Sequence, residues 1–392
     1  MLDSINVGVT GLLGYQQALR VIANNTANMN TPGYKSSTLG FADLFYASTP
    51  GSGGRNLQLG QGLDTTGTQL NFAQGEMRQT GGDFDLALDG TGLFMVRDAQ
   101  GQTRYTRAGS FQFNADGVFV SLFDGSKVMG VDGSGRVGEI KLDGLKLSPG
   151  RASTIVHFTG NLSSTATQQT VGVVKVYDAL GQEHTLSLQF TNTESSKPGS
   201  WQVELLEGTT SFGSAEVVFA DGRATVESAK ASFTFTPTGR APQTLVMDFS
   251  GDVTSFASGN LSTLAMATQD GYAPGNLTKV SFDEAGTLVA SYANGQTAKG
   301  PRLALGRFTT PDAVQDLGGN LFGEAGGLSW MHGVAGEAGF GSVHAGMLES
   351  SNVDLSREFT DLVVMQRGYQ AASQVISTAN DMLQELFGMK HK

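Results

Sequence analysis

Residues 355–387 read LSREFTDLVVMQRGYQAASQVISTANDMLQELF. Leu355, Leu362, Tyr369, Ile376 and Leu383 stand seven apart, and Met365, Ala372, Ala379 and Leu386 lie three residues on from four of them. Apolar residues at this spacing share one side of an α-helix and form a seam for a partner helix. The stretch holds no proline, and Asp354 or Ser356 can cap its start. A helix is therefore predicted from there to about Phe387.

The other end of the chain has a matching pattern. Ile5, Leu12 and Leu19 are seven apart with Thr26 next in register, and Tyr15, Ile22 and Met29 form a second row headed by Gly8. The pattern covers residues 4–30 and stops at Asn30-Thr31-Pro32-Gly33, where a helix breaker meets a turn residue. Each seam needs a partner. The two end helices can pair with each other, or both can pack on an ordinary globular core. Gly8, Thr26 and several asparagines dilute the first seam, and Gly368 costs the second helix about 1 kcal/mol relative to alanine. Helices of this kind gain order from neighbours.

Between the ends the pattern is β. Asp-Gly recurs at 89–90, 116–117, 124–125, 132–133, 143–144, 221–222 and 270–271, with Asn294-Gly295 besides. Such pairs favour hairpin turns because both residues tolerate positive φ. Alternating runs include Leu186, Leu188, Phe190; Phe233, Phe235; and Leu245, Met247, Phe249. The fold class is mainly β with α-helical termini: paired end helices plus two β-rich domains, one inserted in the other. The expected segments are an N-terminal helix within 1–35, a linker over 36–75 that is flexible or extended at 48–62, a β-region over 76–145, an inserted β-domain over 146–274, a return to the first over 275–340, glycine-rich at 323–341, and the C-terminal helix within 341–392.

Composition narrows the function. The 392 residues carry a formal net charge of -11, and only 16% are charged. Such a chain repels nucleic acid and anionic lipid, and no Lys/Arg run offsets this. No run approaches the roughly 18 apolar residues of a membrane span, so no membrane insertion is expected. Cysteine is absent, which excludes disulfides and thiolate metal sites, and glycine numbers 54. Met1–Thr10 lacks the basic and apolar regions of a secretory signal, so export would take another route.

A search for reactive groups returns little. His157, His184, His332, His344 and His391 are too dispersed for a helical metal pair and are expected to be surface or turn residues. Gly133-Ser134-Gly135-Arg136-Val137-Gly138 matches GxGxxG, but residues 139–144 alternate like a strand, whereas a dinucleotide site needs a helix there. Asp83, Asp85 and Asp89 lack the glycine and glutamate of a calcium loop and suggest an acidic hairpin. No catalytic, metal or cofactor site is expected, and the chain is read as a non-enzyme.

Asn24, Asn25, Ala27, Asn28, Thr31, Gly33, Tyr34 and Lys35 form an NNxANxxTxGYK pattern that resembles the N-terminal signature of flagellar rod and hook axial proteins. Glu349-Ser350-Ser351-Asn352, then Glu358-Phe359, then Gln366, Arg367, Gly368, Tyr369 and Gln370 are similar to their C-terminal signature. Gly82–Phe94 and Tyr105–Phe111 resemble a core shared by rod and hook proteins. Val176–Gly181 and Gln269–Gly275 resemble the hook branch. The resemblance implies a structural subunit of the flagellar hook, polymerising into a flexible curved tube that acts as a universal joint and transmits torque. A distal-rod-like axial protein or a secreted β-rich binding protein are the alternatives. It also implies an inner helical tube, with the inserted domain outermost. Implied partners are copies of the chain, a distal rod protein, hook-cap and hook-filament junction proteins, and the flagellar type III export apparatus, with an extracellular location. On this reading the polymerising seam comprises Ile5, Leu12, Tyr15, Leu19, Ile22, Leu355, Leu362, Met365, Tyr369, Ile376 and Leu383.

Overall fold

A computed structural model describes residues 2–50, 56–195, 197–259, 261–325, 330–337 and 339–390. The chain is mostly β between two terminal helices. It divides into two compact units, Met1–Asp143 with Ser281–Val289 and Lys299–Lys392, and Gly144–Val280 with Ala290–Ala298. The second unit is thus inserted in the first, and the chain revisits it once more at Ala290–Ala298.

Helix α1 spans Leu2–Ala27 and α2 spans Leu355–Lys390. Helix α1 ends before Asn30 because its asparagines already terminate it. The Asn28 side chain donates to the Asn24 carbonyl at 2.9 Å, and Thr31 N–H donates to the Asn28 carbonyl at 3.1 Å. Met29, expected in the seam, is therefore in a turn. Asp354 caps α2, its Oδ1 accepting from Ser356 N–H at 2.9 Å and Arg357 N–H at 3.3 Å, so Ser356 is inside the helix.

Residues 36–75 are not a linker. Strand Ser37–Asp43 pairs antiparallel with Leu63–Leu70, and Tyr46–Pro50 with Asn56–Gly60, so the segment is a two-stranded ribbon. Residues 51–55 of the stretch expected to be flexible or extended lie outside the described residues. The ribbon lies on α1 at Gly14, where an added Cβ would fall 2.4 Å from Leu63 Cδ1. Its glycine- and threonine-rich sequence disguises it, since the apolar alternation is thin.

The β part of the first unit has strands Leu93–Arg97, Thr103–Thr106, Lys127–Val131 and Thr297–Phe308 at its centre, paired through Phe94↔Thr106, Val128↔Val96 and Leu305↔Phe94. Leu93, Met95, Tyr105, Met129, Ala304 and Phe322 fill one core. In the second unit, Gln168–Tyr177, Glu183–Asn192, Ser200–Glu207 and Thr210–Ala220 form an antiparallel meander. Ile155–Asn161 pairs parallel with Gln243–Asp248. Its core holds Trp201, Phe158, Phe190, Phe233, Phe235 and Phe249 among aliphatic side chains.

The turns correct the dipeptide reading. Five loops share one construction, at Asp98–Gln102, Asn114–Val118, Asp132–Arg136, Asp178–Gln182 and Asp283–Thr287. In each, the first residue's side-chain oxygen accepts the N–H four residues on, and its carbonyl accepts the glycine N–H three residues on. The glycine takes φ between +68° and +81°. These are three-residue hairpin loops specified by Asp/Asn-x-x-Gly. Of the Asp-Gly pairs, Asp221–Gly222 has both residues at positive φ, 52° and 77°. Asp89–Gly90 closes no hairpin, because Leu86–Asp89 pairs with Ser342–Ala345, so the acidic hairpin expected there does not form. Val137–Glu139, at the end of the GxGxxG match, is a strand.

Candidate functional site: the junction of the two chain ends

Helices α1 and α2 pack antiparallel. An added Cβ at Gly8 would lie 2.7 Å from Ile376 Cγ1, one at Gly11 3.4 Å from Ala372 Cβ, and one at Gly368 2.6 Å from the Tyr15 ring. At the far end Asn25 Nδ2 donates to Glu358 Oε1 at 2.9 Å. Gly8, Gly11, Ala18 and Ile22 of α1 and Ala379 of α2 are buried. Small side chains allow the axes to approach, and larger ones would hold them apart. Glycines at 8 and 368, which weaken the helices by propensity, are notches here, and Tyr15 sits in the one at Gly368.

Ile5, Leu12, Tyr15, Leu19, Leu355, Leu362, Met365, Ile376 and Leu383 are half-buried and Ile22 is buried, and Ile376 and Tyr15 lie in the contact between the helices. Tyr369 is exposed, because the contact runs through Gly368. Apolar side chains also lie bare outside the seam. Val364, Val375, Met382, Leu386 and Met389 follow one flank of α2, with relative exposures from 47% to 76%. Leu13, 60% exposed, lies bare on α1.

The two sequence signatures meet just below this pair, in a buried polar knot. Lys35 Nζ donates to Glu349 Oε1 at 2.6 Å and to the Ala73 carbonyl at 2.8 Å. Arg107 Nε donates to the other oxygen of Glu349, and its terminal nitrogens donate to the Gly92 and Leu88 carbonyls. All three charged side chains are at most 3% exposed. Burial pushes the Glu349 carboxyl up, but the Arg107 and Lys35 charges overcome this and hold it below its ordinary value. Burial pulls Lys35 below its ordinary value against the attraction of Glu349. Gly33 fits against the Arg107–Ala108 backbone, with room for no Cβ, and its N–H donates to the Glu349 carbonyl at 2.8 Å.

The asparagines complete the knot. Asn352 Oδ1 accepts from Ser36 N–H at 2.8 Å, and its Nδ2 donates to the Asn71 and Ala73 carbonyls at 2.7 and 2.9 Å. Asn25 pairs with both backbone groups of Ser37, at 2.8 and 3.0 Å, while Tyr34 OH donates to its Oδ1 at 3.2 Å. Asn24 Nδ2 donates to Tyr34 OH at 3.0 Å, and Thr31 Oγ1 to Asn28 Oδ1 at 3.1 Å. Burial raises the Glu358 carboxyl, opposed by the Asn25 hydrogen bond and reinforced by Asp361. Ala27, Gln366, Arg367 and Gln370 are exposed, and the last three make no hydrogen bond or ion pair with the described residues.

Glu349 and Arg107 stand inside quoted motifs but are not singled out there as site residues. Their signal was a charge kept inside stretches otherwise apolar or glycine-rich. The bonds of the knot run between distant parts of the chain, so the arrangement holds the ends together.

Four family profiles match in chain order: "Flagella basal body rod protein" over 5–35, "Flagellar hook protein FlgE/F/G D1 domain" over 87–164, "Flagellar basal body protein FlaE D2 domain" over 150–272, and "Flagellar basal body rod FlgEFG protein C-terminal" over 344–389. The flagellar hook protein FlgE of Escherichia coli is 28% identical over 97% of this chain and 98% of its own length. That of Treponema pallidum is 28% identical over 100% of both. The crystal structure of Helicobacter pylori flagellar hook protein FlgE2 aligns with 70% of this chain and 100% of its own, at a TM-score of 0.47 and 14% identity. The chain belongs to the flagellar rod and hook axial family, within which it is a structural subunit of the flagellar hook.

Proposed function

We propose that the chain polymerises through its terminal helices into the hook tube, and that the tube bends as a universal joint while carrying torque. The observation that carries this reading is the bare apolar flank of α2. Exposed stripes of this kind mark interaction surfaces. Burying a valine or leucine there against another copy is worth about 1.5–3 kcal/mol per side chain. Helix α2, with 36 residues, outreaches α1, with 26. At 1.5 Å per residue the difference is about 15 Å of unaccompanied helix. Leu386, Phe387 and Met389 lie on that overhang and are offered to a neighbour.

On this reading the paired helices form the innermost layer of the tube. The β surfaces, low in charge and rich in glycine, make small wet contacts that neighbours can break and remake as the tube turns. The subunit acts by shape and assembly and performs no chemistry of its own. Its further partners would be a distal rod protein below, cap and junction proteins above, and the flagellar type III export machinery, with the polymer outside the cell. Electron microscopy of basal bodies from cells lacking this one gene tests the assignment. Complete rods with rings and no hook are expected; truncated rods would move the chain to the rod.

A further inference from the structure

Reactive side chains in the second unit are held inside its fold. His184 is no surface or turn histidine: it sits in the strand Glu183–Asn192, and its Nδ1 lies 2.9 Å from Glu207 Oε1. His391 lies outside the described residues. Asn294 is held more closely still, and it stands in the one Asn-Gly pair of the sequence. Its loop, Tyr292–Gln296, has the backbone of the five Asp/Asn-x-x-Gly loops. Tyr292 N–H donates to the Gln296 carbonyl at 2.9 Å, Gly295 N–H donates to the Tyr292 carbonyl at 3.0 Å, and Gly295 takes φ +78°. The first residue is a tyrosine, however, so no carboxylate or amide oxygen can close the loop from that position. Asn294, third in the loop, accepts the Gln296 N–H on its Oδ1 at 3.1 Å. Its Nδ2 donates to the Ala273 carbonyl at 2.8 Å and to Ser148 Oγ at 3.3 Å. Gly275 is packed against the same amide, where an added Cβ would fall 2.5 Å from Asn294 Cγ. One side chain thus ties three stretches of the second unit, at Ser148, Ala273–Gly275 and Tyr292–Gln296.

An asparagine before glycine is chemically labile, because glycine has no side chain to hinder attack by its own backbone nitrogen. That nitrogen gives up its proton and bonds to the asparagine Cγ. The Cγ–Nδ2 bond breaks, and ammonia leaves with the proton. Water then opens the five-membered imide at one of its two carbonyls, giving aspartate or isoaspartate. The balance needs only water. The fold opposes the first step at each atom that takes part. Gly295 N–H is bonded to Tyr292, the amide oxygen to Gln296 and the amide nitrogen to Ala273, while Gly275 covers the carbon. An unfolded chain has none of these restraints. The product cannot replace what is lost. An ionised carboxylate only accepts, so the Ala273 carbonyl loses its donor and faces a second acceptor.

We propose that Asn294 is a site of spontaneous deamidation which the folding of the second unit holds off, and that conversion to aspartate or isoaspartate releases the stretches it ties. The amide is then a one-way record of time the chain has spent unfolded, written at a point where the change weakens the fold. This gives Ala273 and Gly275, at the end of the Gln269–Gly275 motif, a task that polymerisation does not supply. The inference does not depend on the role proposed for the helices.

The test incubates the full-length chain in mildly alkaline buffer, folded and in urea, and follows the Asn294 peptide by mass spectrometry. Amide-to-acid conversion adds mass, which isomerisation at the Asp-Gly pairs does not. Conversion in the folded chain should be slower by about tenfold or more, since it requires the loop to open first. In urea, Gly295→Ala should suppress it, identifying the Gly295 nitrogen as the attacking atom. Asn294→Asp should lower the unfolding midpoint of the second unit and leave the first unit unmoved. If that variant does not fold, the parent chain aged in urea and then refolded carries the same readout, its loss of folded second unit following its content of converted Asn294. Equal rates in the folded and unfolded chain, or a second unit equally stable with aspartate at this position, would overturn the proposal.

Discussion

The inserted unit and the terminal helices use apolar side chains in opposite ways. In the inserted unit Trp201, Phe190, Phe235 and Phe249 are closed inside, each at most 1% exposed. On α2, Val364, Val375, Met382, Leu386, Phe387 and Met389 face outward. The first arrangement is complete in one chain, since these core side chains are already removed from water. The second leaves its free energy uncollected until another surface arrives. One chain thus carries a finished part and an unfinished part, as expected of a subunit whose assembly is separate from its folding.

The largest expected effect is at the knot that ties the unfinished part down. Glu349→Ala leaves two buried cations facing each other, and breaking a buried pair in this way costs about 3–5 kcal/mol. Thermal unfolding should show the first unit melting early and the inserted unit unmoved. A joint loss of both would mean that the two are not independent. The same residue sets an acid dependence. Its folded pKa lies below the ordinary 4.5, so its contribution is fully present above that value and is lost as pH falls through the folded pKa. Glu349→Gln should flatten that part of the first unit's stability profile.

A smaller effect is expected at the helix notch. Gly368→Val puts side-chain atoms where the Tyr15 ring sits, and overpacking of this kind costs about 1–3 kcal/mol. Truncating the ring with Tyr15→Ala should relieve the clash in a double variant. If the two losses simply add, the notch has no role in docking α1 on α2.

The sequence made the helices legible through their heptads and the strands through alternation. Asn25, Lys35 and Asn352, quoted for the motifs they match, lie in the knot, but the motifs give them no structural role. Three features escaped. The seam runs through Gly368 and leaves Tyr369 exposed, because helix approach is set by the smallest residues in contact, to which a heptad count is blind. The ribbon Ser37–Leu70 escaped because its strands rest on α1 through scattered contacts such as Leu63 against Gly14, too sparse for an alternation signal. The hairpins escaped in detail because Asp-Gly is a local signature, while Asp-x-x-Gly acts through a side-chain oxygen reaching four residues on.

The central claim is that the outer flank of α2 is an interface between copies. Val375→Asp and Met382→Asp place charge on that flank without touching the seam or the knot. Exposed substitutions of this type shift stability by no more than about 0.5 kcal/mol. Purified variants should therefore match the parent chain in both unfolding transitions. Electron microscopy of cells producing either variant should show basal bodies without hooks. Hooks of normal length from both variants would contradict the account.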